Sequence, residues 1–128
     1  MAKQIVKTDK APAPIGPYNQ AIKTDSMLFV SGQVAIDPST NEVIKGSVQD
    51  EAHQVMKNIK AILDEAHITF DHVVKTTIFL SDMNLFTEVN AIYGSYFSGD
   101  YPARETVAVK GLPKGVNVEI SVTAVLSL

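Results

Sequence analysis

The stretch "VNVEISVTAVLSL", residues 116–128, alternates apolar and polar side chains. Its apolar positions fall on one face, and its polar positions, Glu119 among them, fall on the other. Such alternation predicts a β-strand with one face against a core. The other stretches that read as strands are "QIVKT" (4–8), the hairpin "AIKTDSMLFVSGQV" (21–34) with its turn at residues 24–26, "HVVKTTIFLS" (72–81) and "RETVAV" (104–109).

Two segments between these strands show helical periodicity. Residues 47–66 carry apolar side chains at three- and four-residue spacing, and Ser47 with Asp50 resembles a capping box. A second helix fits residues 84–97, which Asp82 or Asn84 can cap and in which Gly94 would allow close packing on a sheet. The order β-β-β-α-β-α-β-β predicts an α+β fold in which two helices pack on one face of a single mixed sheet. We expect one domain over residues 1–128.

The opposite face of this sheet is left without a cover. The 72–81 strand is apolar on both sides, with Val74, Ile78 and Leu80 on one face and Val73 and Phe79 on the other. An uncovered apolar face usually marks an interface. The sequence therefore predicts a homo-oligomer of unspecified symmetry.

Composition excludes several classes of function. The chain has no cysteine, which excludes disulfides, thiolate nucleophiles, iron–sulfur clusters and cysteine-ligated zinc. The net charge is −3 and the 11 basic residues form no run, which argues against a nucleic-acid binder. Neither a secretory signal nor an apolar run long enough to span a membrane is found, so we expect a cytoplasmic protein.

Familiar catalytic motifs are also missing. His53, His67 and His72 show no metal-binding spacing, and we interpret all three as surface residues. "FVSGQVA" places Ser31 and Gly32 at a strand end but is not a nucleophile elbow. Any importance of Gly32 would lie in its backbone, which a ligand could approach closely because there is no Cβ.

Three residues remain open to two interpretations. Arg104, in "YPARETVAV" (101–109), is either a solvated strand charge or the group that holds an anion. Glu119 is either a second solvated charge or a carboxylate that orients a water. The proline-rich loop "APAPIGPYNQA" (11–21) either connects two elements or presents Tyr18 as the wall of a site.

Five motifs make the sequence similar to a known family. "IGPYNQA" (15–21), "SGQV" (31–34), "VVKTTIFLSDMNLFTEVN" (73–90), "PAR" (102–104) and "LPKGVNVEI" (112–120) occur in the order and spacing of the RidA/YjgF family of reactive intermediate deaminases. The resemblance covers about residues 11–126. It implies a chorismate-mutase-like fold and a homotrimer with ligand sites between subunits.

The resemblance also implies an activity. It is the hydrolysis of 2-imino or enamine acids, such as 2-iminobutanoate and 2-iminopropanoate, to the 2-oxo acid and ammonia, with no metal or organic cofactor. Pyridoxal-phosphate-dependent dehydratases release these intermediates. The family arginine falls on Arg104, which would hold the substrate carboxylate, and the family glutamate falls on Glu119, which would place the water. The family positions that line the pocket fall on Tyr18, Ser31, Gly32, Asn90 and Thr106.

The chain departs from the family pattern after Arg104. Many members read Arg-Ser-Cys-Val where this chain reads Arg-Glu-Thr-Val, so Thr106 replaces a cysteine and Glu105 a serine. The departure affects the expected substrate preference. It also keeps a second interpretation open, in which the protein is a non-catalytic trimer that senses 2-oxo acids or regulates a partner. A third, an endoribonuclease, conflicts with the charge distribution.

Overall fold

The structure, a computed structural model, describes residues 3–128. In chain order its elements are β1 (Gln4–Val6), β2 (Ala21–Lys23), β3 (Met27–Gln33), β4 (Ile36–Asp37), β5 (Glu42–Val43), α1 (Val48–Glu65), β6 (Val73–Leu80), α2 (Phe86–Gly94), β7 (Ala103–Ala108) and β8 (Val118–Val125). Six strands form one sheet in the order β1-β2-β3-β8-β6-β7. All of its pairs are antiparallel except β6 with β7, so the sheet is mixed. The predicted α+β fold is confirmed.

Strand β8 lies near the centre of the sheet and follows the predicted alternation. Val118, Ile120, Val122 and Ala124 are all buried, whereas Glu119, Ser121 and Thr123 are only partly covered. The buried row faces the helices and joins the main core. Because β8 pairs with β3 on one side and β6 on the other, it fixes the register of the sheet.

Helix α1 begins and packs as its sequence predicts. The Ser47 hydroxyl accepts a hydrogen bond from the Asp50 N–H at 3.1 Å, and the Asp50 carboxylate accepts one from the Ser47 N–H at 3.4 Å. This reciprocal pair completes the capping box. The apolar stripe is buried against the sheet, and Ile59 and Ile62 have no exposed surface.

Helix α2 is shorter than the predicted 84–97. A 3₁₀ turn, Met83–Leu85, precedes it, and the Asp82 carboxylate accepts a hydrogen bond from the Asn84 N–H at 2.9 Å. Gly94 is the last residue of the helix, and a Cβ at that position would meet nothing within 4 Å. The expectation that Gly94 permits close packing on the sheet was therefore wrong.

Two irregularities change which face some side chains occupy. The pairing of β6 with β8 shifts between Val73 and Lys75, so Val73 is buried on the helix side and Val74 is 41% exposed. The prediction that Val74 shares a face with Ile78 was wrong, because a bulge reverses the alternation. A second shift, between Val30 and Gln33, places two residues of β3 opposite one of β8.

One small element was not predicted. The segment "AIDPSTNEV" (35–43) forms the two-stranded hairpin of β4 and β5, separate from the main sheet. Asp37 shapes its turn by accepting hydrogen bonds from the backbone and hydroxyl of Ser39. These two bonds hold the pKa of the Asp37 carboxyl below its usual value. No helix within residues 3–128 has the length and apolar character needed to cross a membrane.

The face of the sheet opposite the helices is partly apolar. The register aligns Ile5, Ile22, Phe29 and Thr123 in one row across four strands. A second row joins Glu119, Phe79 and Val107. Ile5, Phe29 and Val107 are exposed by 59%, 46% and 40%. We call this surface the open face.

Candidate functional site

Arg104 lies on the helix side of the sheet. It is on the edge strand β7, directly opposite Thr76 of β6, which is 1% exposed. From there its guanidinium reaches α2, where Nη1 donates a hydrogen bond of 2.7 Å to Oδ1 of Asn90. The side chain is half-buried, so Arg104 is not the solvated strand charge that composition alone allowed.

Two aromatic rings flank this guanidinium. Its Cζ lies 5.1 Å from the ring centroid of Tyr93 and 5.6 Å from that of Phe86, within the range of cation–π contacts. Tyr93 is itself fixed, because its hydroxyl is hydrogen-bonded to the Thr76 hydroxyl at 2.8 Å. Burial raises the pKa of the Tyr93 hydroxyl above its ordinary value of 10.0, so the hydroxyl is protonated well beyond neutral pH.

Within residues 3–128, no carboxylate forms an ion pair with Arg104. Among residues 3–128 the ion pairs are Lys60 with Asp64 and Lys75 with Glu105, and neither includes Arg104. The guanidinium borders a cleft of about 660 Å³, and the cleft is lined by Asn90, Ala91, Tyr93, Gly94, Tyr101, Pro102 and Arg104. We call it the arginine cleft. A half-buried cation with free donors beside a cleft is suited to bind an anionic ligand.

Glu119 lies on the open face, at the point where β3 bulges. Ser31 and Gly32 are the two bulged residues, since Val30 pairs with Val122 and Gln33 with Ile120. A Cβ added to Gly32 would overlap the Glu119 carboxylate and would lie 2.8 Å from its Cδ. The missing side chain at Gly32 thus makes room for Glu119, which is a different reason from the ligand contact that the sequence suggested.

The surroundings of Glu119 disfavour its charged form. Burial raises the pKa of its carboxyl above the ordinary value of 4.5. A carboxylate with a raised pKa is a better proton acceptor near neutral pH than an exposed glutamate. This property suits a group that would take a proton from water.

Glu119 borders a second cleft, of about 370 Å³, which we call the glutamate cleft. Tyr18, Ser31 and Gly32 line it together with Glu119, and Ile15 and Pro113 extend its apolar wall. The Ser31 hydroxyl donates a hydrogen bond of 2.6 Å to the Asn19 carbonyl, and the Tyr18 hydroxyl accepts one of 3.3 Å from the Ile15 N–H. These bonds fix the wall of the cleft.

The loop that carries Tyr18 is held by a residue that sequence reasoning missed. The buried Gln20 amide donates hydrogen bonds to the carbonyls of Thr8, Ala11 and Pro12 and accepts one from the Thr8 N–H. Its place in "IGPYNQA", near the end of the loop, was the available signal. The prolines stiffen the loop, and Gln20 attaches it to the start of β2.

The two residues that depart from the family pattern lie on opposite faces. Glu105 is on the open face and pairs with Lys75 at 2.9 Å. Thr106 lies opposite the buried Ile78, on the helix side with Arg104. Its Oγ1 is buried and has no hydrogen-bond partner among residues 3–128. A buried hydroxyl without a partner is unusual and calls for an explanation.

The structure therefore sorts the predicted site residues into two groups. Arg104 and Asn90 border the arginine cleft, whereas Tyr18, Ser31, Gly32 and Glu119 border the glutamate cleft. Within one chain the side chains of Arg104 and Glu119 lie on opposite sides of the sheet. Phe86 and Tyr93, which flank Arg104, lie four and three residues from Asn90, a spacing that puts all three on one helix face.

The histidines lie away from both clefts. His67 is exposed, and His72 Nδ1 accepts a hydrogen bond of 3.1 Å from the Thr69 N–H. The His53 ring is hydrogen-bonded to the Tyr96 hydroxyl at 2.9 Å. His53 is thus more enclosed than the predicted surface residue. No group of three or more metal-binding side chains occurs in the part of the chain that the structure describes.

Comparisons with known proteins agree with this architecture. A RutC family protein of Pyrococcus abyssi is 48% identical to the chain over 97% of this chain and 98% of its own. The 2-iminobutanoate/2-iminopropanoate deaminase of Mus musculus is 48% identical over 96% and 91%. The crystal structure of Escherichia coli TdcF with bound serine is 40% identical, with a TM-score of 0.93 over 97% of this chain and 99% of that one. The family described as endoribonuclease L-PSP matches residues 8–126, so the chain belongs to this family, the RidA/YjgF/RutC family that the five motifs predicted.

Proposed function

We propose that this chain hydrolyses reactive 2-imino and enamine acids, such as 2-iminobutanoate and 2-iminopropanoate, to 2-oxo acids and ammonia. The observation that carries the proposal is the pair of clefts. One presents an arginine without a carboxylate partner in the described part of the chain, and the other presents a glutamate whose pKa is raised. The mouse relative that bears the name of this deaminase supports the same activity.

We further propose that the site forms between two subunits of a homotrimer. In a single chain Arg104 and Glu119 lie on opposite sides of the sheet, so one small ligand cannot contact both. The partly apolar open face offers a surface for a second copy. A neighbouring subunit could then bring its arginine cleft to the glutamate cleft of the first, and the trimeric state follows the family resemblance.

Binding would begin at Arg104. Nη1 donates its hydrogen bond to Asn90, whereas Nε and Nη2 have no acceptor among residues 3–128. That edge of the guanidinium matches the two oxygens of a carboxylate. Serine bound to TdcF is also a small carboxylate, which supports a ligand of this class. Tyr18, the Gly32 backbone and Thr106 would line the rest of the pocket.

The chemistry needs one placed water. The substrate carbon of a protonated imine, C=NH₂⁺, is already electrophilic, so no covalent nucleophile is required. Glu119 would take a proton from the water molecule as the water oxygen bonds to that carbon. That proton would pass from Glu119 to the amino nitrogen. The C–N bond would then break as the hydroxyl oxygen forms the carbonyl, and the hydroxyl proton would move to the departing ammonia. The balanced outcome is C=NH₂⁺ plus H₂O giving C=O plus NH₄⁺.

A coupled assay tests the proposal. A threonine dehydratase generates the imine in the presence of a nucleophile that traps it, and the chain is added or left out. We expect the chain to lower the yield of trapped imine and to raise the rate of 2-oxobutanoate release. Equal trapping with and without the chain would exclude the deaminase. Binding of 2-oxobutanoate without turnover would favour the sensing trimer instead.

The alternative function is that of an endoribonuclease, the activity in the family's description. The chain has a net charge of −3, and its 11 basic residues form no run. Binding to RNA through phosphates would weaken steeply as salt rises. We expect neither such binding nor RNA cleavage.

A further inference from the structure

We propose that Phe86 and Tyr93 are positioning residues that hold the Arg104 guanidinium in the orientation that receives a carboxylate, with Thr76 anchoring Tyr93. The inference rests on the proposed function of Arg104 as the carboxylate-binding group. We call Phe86, Asn90 and Tyr93 together the guanidinium cage. All three come from one face of α2.

The cage fixes the guanidinium from several directions. Asn90 accepts a hydrogen bond from Nη1, and the rings of Phe86 and Tyr93 lie 5.6 Å and 5.1 Å from Cζ. The amide contact is made at one edge of the planar group and leaves Nε and Nη2 for a ligand. A long arginine side chain otherwise samples many rotamers, and holding it in place lowers the ordering cost of binding.

Thr76 closes the arrangement. It is the strand residue directly opposite Arg104, and its hydroxyl is bonded to the Tyr93 hydroxyl at 2.8 Å. Strand β6, helix α2 and strand β7 are thereby linked through three side chains around one cation. Thr76 and Tyr93 are 1% and 3% exposed, so this hydrogen bond is shielded from water.

The cage rings offer only neutral partners to the charge. Aromatic faces stabilise a cation without neutralising it, unlike a carboxylate. The Tyr93 hydroxyl is uncharged at neutral pH, and burial raises its pKa further above the ordinary value of 10.0. The arrangement thus orients Arg104 and preserves its net positive charge for the ligand.

The test measures, by calorimetry, the binding of 2-oxobutanoate and of its neutral amide to the full chain. The variants are Phe86→Leu, Tyr93→Leu, Tyr93→Phe, Thr76→Val and the Thr76→Val/Tyr93→Phe double variant. Phe70→Leu is the matched control, because Phe70 contacts Tyr96 and Phe97 in the same aromatic cluster and does not contact Arg104. Phe86 is 36% exposed, so its variant should fold even if Tyr93→Leu does not.

We expect Phe86→Leu and Tyr93→Leu to raise Kd for 2-oxobutanoate roughly 3- to 20-fold, as loss of a cation–π contact would. Binding of the neutral amide should change by less than about twofold, because only the charged ligand uses the oriented guanidinium. Thr76→Val and Tyr93→Phe remove one shared hydrogen bond, so the double variant should bind no more weakly than the weaker single variant.

Three results would contradict the inference. If wild type binds the carboxylate and Phe86→Leu binds it equally well, the cage has no role, although the proposed function stands. Equal weakening of carboxylate and amide would indicate a purely structural role. If wild type binds no carboxylate, the proposed function fails and the inference fails with it.

Discussion

Arg104 and Glu119 lie on opposite faces of the same β-sheet. Arg104 is aligned with the buried Thr76 and reaches α2, whereas Glu119 is aligned with Phe79 on the open face. Both were expected to act on one small substrate. If they do, each must come from a different subunit, and this requirement links the proposed chemistry to assembly.

Removing the charge of Arg104 should abolish most activity. We expect Arg104→Ala to lower kcat/KM at least roughly 100-fold, because a charge-assisted bidentate contact is lost. Arg104→Lys should recover little of it, since an ammonium cannot reproduce the planar fork or its contact with the rings. Steady-state kinetics with a generated imine measure both variants.

Lys110→Ala serves as the control, because it removes an exposed cation six residues along the chain from Arg104. It should keep the activity of wild type. An equal loss in Arg104→Ala and Lys110→Ala would point to a general effect of net charge. It would contradict the proposal that Arg104 binds the substrate carboxylate.

A methyl group at Gly32 should displace Glu119. The Cβ of Gly32→Ala would overlap the Glu119 carboxylate. We expect kcat to fall roughly 10- to 100-fold, as misplacement of a catalytic group by about 1 Å commonly does. Gly111→Ala is the matched control, since a Cβ there meets nothing within 4 Å. Full activity in Gly32→Ala would show that the position of Glu119 is not critical.

The raised pKa of Glu119 gives a pH prediction. The proposed role needs the carboxylate, so activity should fall as the pH drops through this pKa, at a higher pH than the ordinary value of 4.5 allows. A pH profile of kcat/KM measures this acid limb. An acid limb at or below the ordinary glutamate value would contradict the assignment.

The contribution of Glu119 to folding stability should fall as the pH rises, whereas the activity should rise. Because the folded pKa is raised, the folded chain retains the Glu119 proton where the unfolded chain has lost it. The proton's stabilising effect is present at low pH and is lost as pH rises through the raised pKa. Glu119→Gln should therefore gain in thermal stability relative to wild type as the pH increases above 4.5.

Thr106 tests whether its buried hydroxyl serves the ligand. The Thr106 Oγ1 lacks a partner among residues 3–128, so Thr106→Val should keep or slightly raise stability, by up to about 1 kcal/mol. If the ligand or a neighbouring subunit supplies the partner, KM should rise several-fold in the same variant. A lower unfolding temperature with unchanged KM would mean that the hydroxyl has only a structural role.

Much of the fold could be predicted because local patterns report it. The alternation of β8 and the stripe and capping box of α1 depend on residues close in sequence. The bulges could not be predicted in this way. Each one arises because one strand has an extra residue relative to its partner, and the two strands are distant in the chain. This explains both the error at Val74 and the unexpected contact of Gly32 with Glu119.

The candidate site was predictable as a set of residues but not as an arrangement. The motifs named Arg104, Asn90 and Glu119, yet periodicity carries no information on which faces of a folded sheet two strands present. The separation of Arg104 from Glu119 depends on the register of β6 with both β7 and β8. Gln20 was missed because it lies in a loop, where no repeating pattern of apolar residues indicates which side chains are buried.

Activity in mixed oligomers tests whether each site takes Arg104 from one subunit and Glu119 from another. Arg104→Ala and Glu119→Gln chains, each inactive alone, are unfolded together in equal amounts and refolded so that subunits mix. If each site takes Arg104 from one subunit and Glu119 from the next, about a quarter of the sites in random trimers carry both residues. A site shared in this way should give recovery of about a quarter of wild-type activity. No recovery in verified mixed trimers would contradict it, because a site built within one chain gains nothing from mixing.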